Sequence, residues 1–162
     1  MTQVGLLKKL NNRLLFRLFL LHSLPAAFFS GVKMGSVSVD SSVIIIRFSW
    51  FSQNPFKSIY FACLSMAAEM SSGILALVHT IEKRPNISML VLGVEASFYK
   101  KAIGTIRFQC QDGLLIQQAV EDAVRTGDGT ICDTISRGID EQGRTVAEFK
   151  VRWSFKQKEN KV

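Results

Sequence analysis

The pattern of apolar and polar residues along the chain predicts three helices and three pairs of strands. Helical segments show apolar residues at a period of 3.6, and the strand segments alternate or are rich in β-branched residues. The predicted order is a helix over 3–21, two strands within 31–50, a long helix over 59–81, strands over 87–99 and 102–111, a helix over 113–127, and strands over 129–143 and 144–156. One long helix packed on one antiparallel sheet is an α+β fold.

Short polar stretches mark the expected turns and one helix start. The turns are predicted at Asp40-Ser41-Ser42, at Lys100-Lys101 and at Glu141-Gln142-Gly143. Ser58 is predicted to cap the N-terminus of the long helix with its side chain.

The long helix is almost entirely apolar or small, and Glu69 is the carboxylate in the middle of that run. Its length would allow it to span a bilayer. A carboxylate at mid-bilayer costs roughly 2.5–3.5 kcal/mol, and no second span is predicted for it to pack on. The sequence therefore favours a core helix that is wrapped by the sheet.

The segment over 1–24 is predicted to form an imperfect amphipathic helix that mixes leucines with basic residues. A signal peptide and a helix that contacts a membrane surface are the alternatives. Arg17 and His22 interrupt the apolar run, and Pro25 follows it without a convincing cleavage site. The sequence favours an ordinary packed helix for this segment. It is followed by a single domain over 25–156 and a tail over 157–162.

Composition and charge narrow the function. The chain has 162 residues, of which 48% are hydrophobic and 20% charged, which indicates one globular domain. The net charge is +7, and residues 1–35 contain five basic residues and no acidic residue. Basic ends suggest an anionic partner, but no nucleic-acid motif accompanies them, so nucleic acid is not expected.

Cysteine spacing argues against metal and disulfide chemistry. Cys63, Cys110 and Cys132 are an odd number at wide spacings, with no Cys-x-x-Cys pair. We expect reduced core thiols, a cytoplasmic location, and no metal or cofactor. A pair formed by Cys63 and His79 stays open as an alternative.

Two features then resemble a known family. Asn54 in the loop before the long helix lies fifteen residues before Glu69, and "SFYKKAIG" forms residues 97–104. In both respects the chain resembles the hotdog-fold thioesterases related to phenylacetyl-CoA thioesterases, over about residues 25–156. The resemblance implies a long central helix in a curled antiparallel sheet, hydrolysis of an acyl-CoA or another acyl thioester, and homodimers, with tetramers as a further option.

The resemblance also implies roles for individual residues. The family's His-Gly-Gly at the helix start is replaced here by Tyr60, Phe61 and Ala62. The N–H of Phe61 or Ala62 would polarise the thioester carbonyl, and Tyr60 could donate a hydrogen bond. Asn54 would orient water or substrate, and Glu69 would act as general base or nucleophile.

Substrate contacts are expected from Gly73, Lys100 and Lys101. Gly73 shares the helix face of Glu69 and would permit a close approach. The two lysines would bind phosphates of coenzyme A, although a solvated turn is the alternative for them. Helix geometry puts about 15 Å between residue 59 and Glu69, so the two halves of the site are expected to come from different subunits.

The replacement of His-Gly-Gly keeps a second function open. A protein that retained the fold and the apolar pocket without catalysis would bind an acyl ligand or act as an assembly protein. In that case Glu69 would pair with a cation or with backbone groups across a dimer.

Overall fold

The computed structural model describes residues 1–83 and 86–158. The helices are α1 (Gln3–Asn11), α2 (Arg13–Ser23), α3 (Pro25–Phe29), α4 (Phe61–Thr80) and α5 (Gly113–Thr126). The strands are β1 (Lys33–Val37), β2 (Ser42–Arg47), β3 (Ile87–Phe98), β4 (Thr105–Cys110), β5 (Thr130–Ile139) and β6 (Thr145–Gln157). The predicted α+β class is confirmed.

The six strands form one antiparallel sheet in the order β1-β2-β4-β5-β6-β3. The closing hairpin of β5 and β6, with its turn over 141–143, is as predicted. Lys100 and Lys101 lie between β3 and β4 as predicted, but this segment is not a hairpin turn, because β3 pairs with β6 along its length and β4 lies between β2 and β5. The segment over 99–104 therefore crosses between distant parts of the sheet.

Helix α4 packs across the sheet as its core helix. Small side chains on its buried face, such as Ala67, Ala68 and Ala76, allow it to lie close to the strands. Helix α4 is long and apolar enough to cross a membrane, but 61% of its apolar stretch is buried inside the protein. This burial fits the predicted core helix.

The start of α4 differs from the prediction. Ser58 does not cap the helix, which begins at Phe61 with Tyr60 in the N-cap position and no side-chain hydrogen bond there. The hydroxyl of Ser58 is engaged with Asn54 in the preceding loop. The N–H groups at the start of α4 are consequently left without a side-chain acceptor.

The N-terminal helical segment is present, but it is divided at Asn12 instead of running as one helix. Asn12 has an extended backbone, and its side-chain oxygen accepts hydrogen bonds from the N–H groups of Leu14 and Leu15. An asparagine that caps the next helix in this way ends the previous one. Both helices contribute to the core, through Leu6, Leu10, Phe16 and Leu20.

The turn between β1 and β2 lies over residues 38–41, and not over 40–42 as predicted. Ser42 lies in β2, and its side chain donates to the Ser71 carbonyl of α4. The turn is instead organised by Ser38, whose hydroxyl accepts from the N–H groups of Asp40 and Ser41. Serine hydroxyls form such local turns readily.

Candidate functional site

A cleft of about 510 Å³ lies at the start of α4. It brings together Asn54, Tyr60, Phe61, Lys100 and Lys101, which the sequence predicted as site residues. The remaining walls are formed by Pro55, Phe56, Ser58, Ile59, Leu64, Phe98, Tyr99 and Ala102. The loop before α4 and the segment after β3 therefore meet here.

The N-terminus of α4, where Phe61 lines the cleft and Ala62 follows just outside its lining, leaves backbone donors free. The N–H of Tyr60 donates to the Ser52 carbonyl at 2.7 Å, and the N–H of Cys63 donates to the Tyr60 carbonyl at 2.9 Å. Among the described residues, the N–H groups of Phe61 and Ala62 have no acceptor. Free N–H groups and the positive end of the helix dipole favour an anionic oxygen at this point.

Asn54 is held within its own loop. Its side-chain oxygen accepts from the N–H of Phe56 at 2.9 Å and from the N–H of Ser58 at 3.2 Å. Its side-chain nitrogen donates to the Ser58 hydroxyl at 3.0 Å. The same turn holds Lys57 with a positive φ of 56°. Asn54 therefore shapes the loop that forms the cleft wall.

Lys100 and Lys101 lie exposed on the segment that follows β3. The N–H of Lys100 donates to the Val146 carbonyl at 3.2 Å, and the N–H of Ile59 donates to the Ala102 carbonyl at 2.9 Å. These bonds attach the lysine segment to both β6 and the loop before α4. The two ammonium groups are thus carried by a fixed backbone at the edge of the cleft.

Tyr60 and Phe61 occupy the positions at which the family that the chain resembles has histidine and glycine. Tyr60 and Phe61 meet edge to face, with ring centroids 4.8 Å apart. Tyr60 is 45% and Phe61 56% exposed. They add apolar surface at the cleft while leaving the N–H groups of the helix start unchanged.

Glu69 and Gly73 lie outside the cleft, further along α4. Eight residues of helix separate Phe61 from Glu69, a rise of about 12 Å. Within the part of the chain that the structure describes, no hydrogen bond or ion pair engages the Glu69 carboxylate. Burial raises the pKa of this carboxyl above its ordinary value.

Gly73 provides space beside the Glu69 carboxylate. A Cβ on Gly73 would lie 2.9 Å from Oε1 of Glu69 and 3.3 Å from the indole ring of Trp153. The indole N–H of Trp153 donates to the Ser72 hydroxyl at 3.0 Å. The carboxylate therefore sits near an aromatic wall whose orientation is fixed, over a residue without a side chain.

This side of α4 lies towards the edge of the sheet that β3 forms. Trp153 of β6 is paired with Val91 of β3, and β3 is an edge strand. Leu90, Leu92 and Val94 of β3 are 64%, 49% and 48% exposed. A long apolar edge with unpaired backbone groups is a template for a further strand. The cleft lies at the end of this same strand.

The alternative pair of Cys63 and His79 is not formed. The Cys63 thiol lies 3.7 Å from the Ser30 hydroxyl, and Nε2 of His79 lies 2.8 Å from the Val39 carbonyl. Sixteen residues of straight helix separate the two side chains, about 24 Å of rise. Both act as packed residues with local partners.

Sequence reasoning missed residues that surround Glu69 and residues that line the cleft. Trp153 lies in the strand predicted over 144–156, but only the fold shows that its ring lies beside Gly73. Phe98 and Tyr99 line the cleft because β3 ends beside the loop before α4. The two adjacent aromatic residues at the end of the predicted strand were the signal that could have indicated a lined cleft.

Comparison with known proteins gives structural neighbours only. No protein-family model matches the sequence. No curated protein matches it either.

Among solved structures, a protein from Pseudomonas aeruginosa described as a probable thioesterase superposes with a TM-score of 0.75 at 21% identity, covering 88% of this chain and 95% of that chain. A protein of unknown function from Chlorobaculum tepidum superposes with a TM-score of 0.77 at 16% identity, covering 97% and 98%. The PaaI protein from the phenylacetic acid degradation operon of E. coli gives a TM-score of 0.62 at 12% identity, covering 91% and 94%.

These neighbours share the layout described above, a long helix on one antiparallel sheet, over most of both chains. At these identities the likeness concerns the fold. The chain therefore has the hotdog fold, as the resemblance at Asn54 and Glu69 implied.

Proposed function

We propose that the protein hydrolyses an acyl thioester, in the first place an acyl-CoA, at a site formed by two copies of the chain. One observation carries the proposal: α4 offers free N–H groups in a lysine-edged cleft at its start and a carboxyl of raised pKa further along. Thioesterase is also the description of several structural neighbours, which supports this reaction class.

The cleft suits the two ends of an acyl-CoA. Lys100 and Lys101 would bind phosphate groups, which are recognised by ammonium ions. Leu64 and Phe98 offer apolar wall to the acyl chain. The thioester oxygen would lie against the N–H of Phe61 or Ala62, where the helix dipole stabilises negative charge.

The carboxylate supplies the base. Glu69 of the second chain would take a proton from water while the water oxygen attacks the carbonyl carbon. The negative charge then moves onto the carbonyl oxygen, at the free N–H groups. When the intermediate collapses, the C–S bond breaks, and the leaving thiolate takes the proton from the Glu69 carboxyl, which becomes a carboxylate again. Direct attack by the carboxylate is the other route open to Glu69.

Two copies are needed because of the length of α4. About 12 Å of helix separates Phe61 from Glu69, too far for both to contact one carbonyl. Pairing of two β3 strands would place the second α4 beside the first and cover Leu90, Leu92 and Val94. We expect at least a homodimer, and further pairing into tetramers is open.

A second candidate function is a binder of acyl ligands without turnover. Asn54 spends its side-chain hydrogen bonds within the loop, and Phe61 stands in the cleft instead of glycine. Both features reduce the room for an oriented water. A binder would retain affinity for acyl-CoA but release no thiol.

A reducing compartment fits the three thiols. Cys63, Cys110 and Cys132 are free and buried. Burial raises the pKa of Cys110 to about 12 and that of Cys132 to about 11, which keeps both protonated and unreactive. We propose the cytoplasm as the location.

The test is release of free thiol from a panel of short, medium, long and aromatic acyl-CoA substrates. Wild type and Glu69→Ala are compared, with Glu121→Gln as a matched removal of an exposed carboxylate on α5. Hydrolysis that falls about 10²-fold or more in Glu69→Ala, and stays unchanged in the control, supports the enzyme. Ligand binding without thiol release by wild type supports the binder.

A further inference from the structure

Helix α2 carries apolar residues on two opposite faces. Phe16 and Leu20 face inward and are fully buried. Leu14, Leu18 and Leu21 lie at spacings of four and three on the other side, where they are 67%, 53% and 46% exposed. A helix that is apolar on both faces is normally covered on both. The outer face, which we call the leucine stripe, has no cover in the described chain.

Aromatic side chains extend this surface beyond α2. The guanidinium of Arg17 lies 4.7 Å from the centroid of the Phe28 ring. Phe28 meets Phe29 at 5.3 Å, Phe29 meets Phe51 at 6.1 Å, and Phe51 meets Trp50 at 4.9 Å between centroids. Phe29, Trp50 and Phe51 are among the exposed large hydrophobic residues. The chain of ring contacts links α2 to α3 and to the loop after β2.

The flank of the leucine stripe is basic. Arg13, Arg17 and Lys33 line a groove of about 370 Å³ between α2 and β1. The apolar part of its wall comes from Phe16, Met34, Gly35 and Ile45. In the described chain no salt bridge engages these three cations, and residues 1–35 contain no acidic residue. The groove thus offers positive charge above an apolar floor.

We propose that the leucine stripe, the exposed aromatic residues and this basic groove together dock the protein on an anionic phospholipid surface. The leucines and rings would enter the boundary between headgroups and acyl chains. Arg13, Arg17 and Lys33 would bind headgroup phosphates, and the aromatic rings suit the interfacial layer.

A second copy of this chain is a less suitable cover. Symmetric association of two such faces would bring unpaired cations together without any acidic residue from 1–35 to neutralise them. An anionic surface instead gains from every cation on the flank. The proposal does not depend on thioester hydrolysis, because none of these residues lines the cleft at α4.

Co-sedimentation with vesicles tests the proposal. The full chain is mixed with vesicles of phosphatidylglycerol and phosphatidylcholine, or of phosphatidylcholine alone. We expect binding to the anionic vesicles only, with release at high salt because exposed charges are screened. No sedimentation with anionic vesicles, or equal sedimentation with both kinds, would overturn the proposal.

Variants separate the contributions of the apolar and of the charged residues to vesicle binding. Leu14→Gln/Leu18→Gln/Leu21→Gln and Arg13→Gln/Arg17→Gln should each weaken vesicle binding by at least about tenfold. Leu114→Gln, at an equally exposed leucine of α5, and Arg125→Gln, at an exposed cation of α5, are the matched controls and should bind normally. Far-ultraviolet circular dichroism and thermal melting check that every variant is folded.

Two further results would contradict the proposal. One is vesicle binding that the stripe and arginine variants leave unchanged. The other is a change of oligomeric size in the stripe variant, measured by sedimentation, when wild type does not bind vesicles. That second result would show that another copy of the chain covers the stripe.

Discussion

The side-chain oxygen Oε1 of Glu69 lies 2.9 Å from the point that a Cβ on Gly73 would occupy. The Trp153 ring borders the same point at 3.3 Å. One helical turn thus sets a carboxylate over a residue with no side chain and near an aromatic wall. Burial raises the pKa of this carboxyl above its ordinary value.

Gly73→Ala should lower activity without unfolding the protein. The added methyl would displace the flexible end of Glu69 and press on the Trp153 ring, whereas alanine in a helix is favoured over glycine by about 1 kcal/mol. We expect kcat to fall by about tenfold or more and the melting temperature to change little. Melting and thiol release measured on the same preparation check both parts.

Gly138→Ala provides the contrast for that experiment. A Cβ there would lie 2.7 Å from the buried Phe108 ring, which has no room to move. This variant should be strongly destabilised. A Gly73→Ala protein that is equally destabilised would contradict the account of a flexible displacement.

Glu69→Gln should become more stable relative to wild type as pH rises. The folded-state pKa of Glu69 lies above its unfolded value, so the folded state holds the proton more tightly. Wild-type stability therefore falls as pH rises from the ordinary pKa of 4.5 to the raised one. Glutamine carries no such penalty. Chemical denaturation of both proteins between pH 4 and pH 8 measures the difference, and a constant difference would exclude a raised pKa.

Removal of Asn54 should loosen the loop that forms the cleft. Asn54→Ala leaves the N–H groups of Phe56 and Ser58 without their acceptor, at a cost of about 1–3 kcal/mol where such groups stay buried. Substrate affinity and stability should fall together. Asn54→Asp keeps the acceptor oxygen and should recover most of the stability. Equal losses in both variants would argue against the loop role.

Charges on the free strand edge should separate the subunits. Leu90→Lys/Val94→Lys places two cations on β3, and charged edges oppose strand pairing. Sedimentation should show a dimer converted to monomer, with thiol release lost in parallel. Ile131→Lys, on an exposed face of β5, is the control and should remain dimeric and active. A wild type that is already monomeric at micromolar concentration would rule out the shared site.

Much of the fold follows from local signals. The length and apolar character of 59–81, together with β-branched segments on both sides, are enough to predict α4 in a sheet. The division at Asn12 and the start of α4 were missed because they depend on single hydrogen bonds, from Leu14 and Leu15 to Asn12 and between Ser58 and Asn54. Serine and asparagine side chains can form several alternative local hydrogen bonds, and the sequence does not show which of them forms.

The candidate site was only half predictable. Spacing pointed to Asn54 and Glu69, and the fold brings Asn54 together with Lys100 and Lys101 in one cleft. Trp153 lies eighty residues from Gly73 in the chain, and only the sheet register brings it to α4. The strand order that separates β3 from β4 was likewise hidden, because alternation predicts strands and not their partners.

The shared site is tested most directly by mixing two impaired variants, one changed in the loop that forms the cleft and one changed at the carboxylate. Asn54→Ala and Glu69→Gln chains are unfolded together, refolded together and assayed for thiol release, with each variant alone as the control. A mixed dimer would contain one intact site, formed by Asn54 of one chain and Glu69 of the other, and one site with both defects. Random pairing should therefore restore about a quarter of wild-type activity in a symmetric dimer. Activity that stays at the level of the separate variants, in dimers shown to have exchanged subunits, would contradict a site formed by two chains.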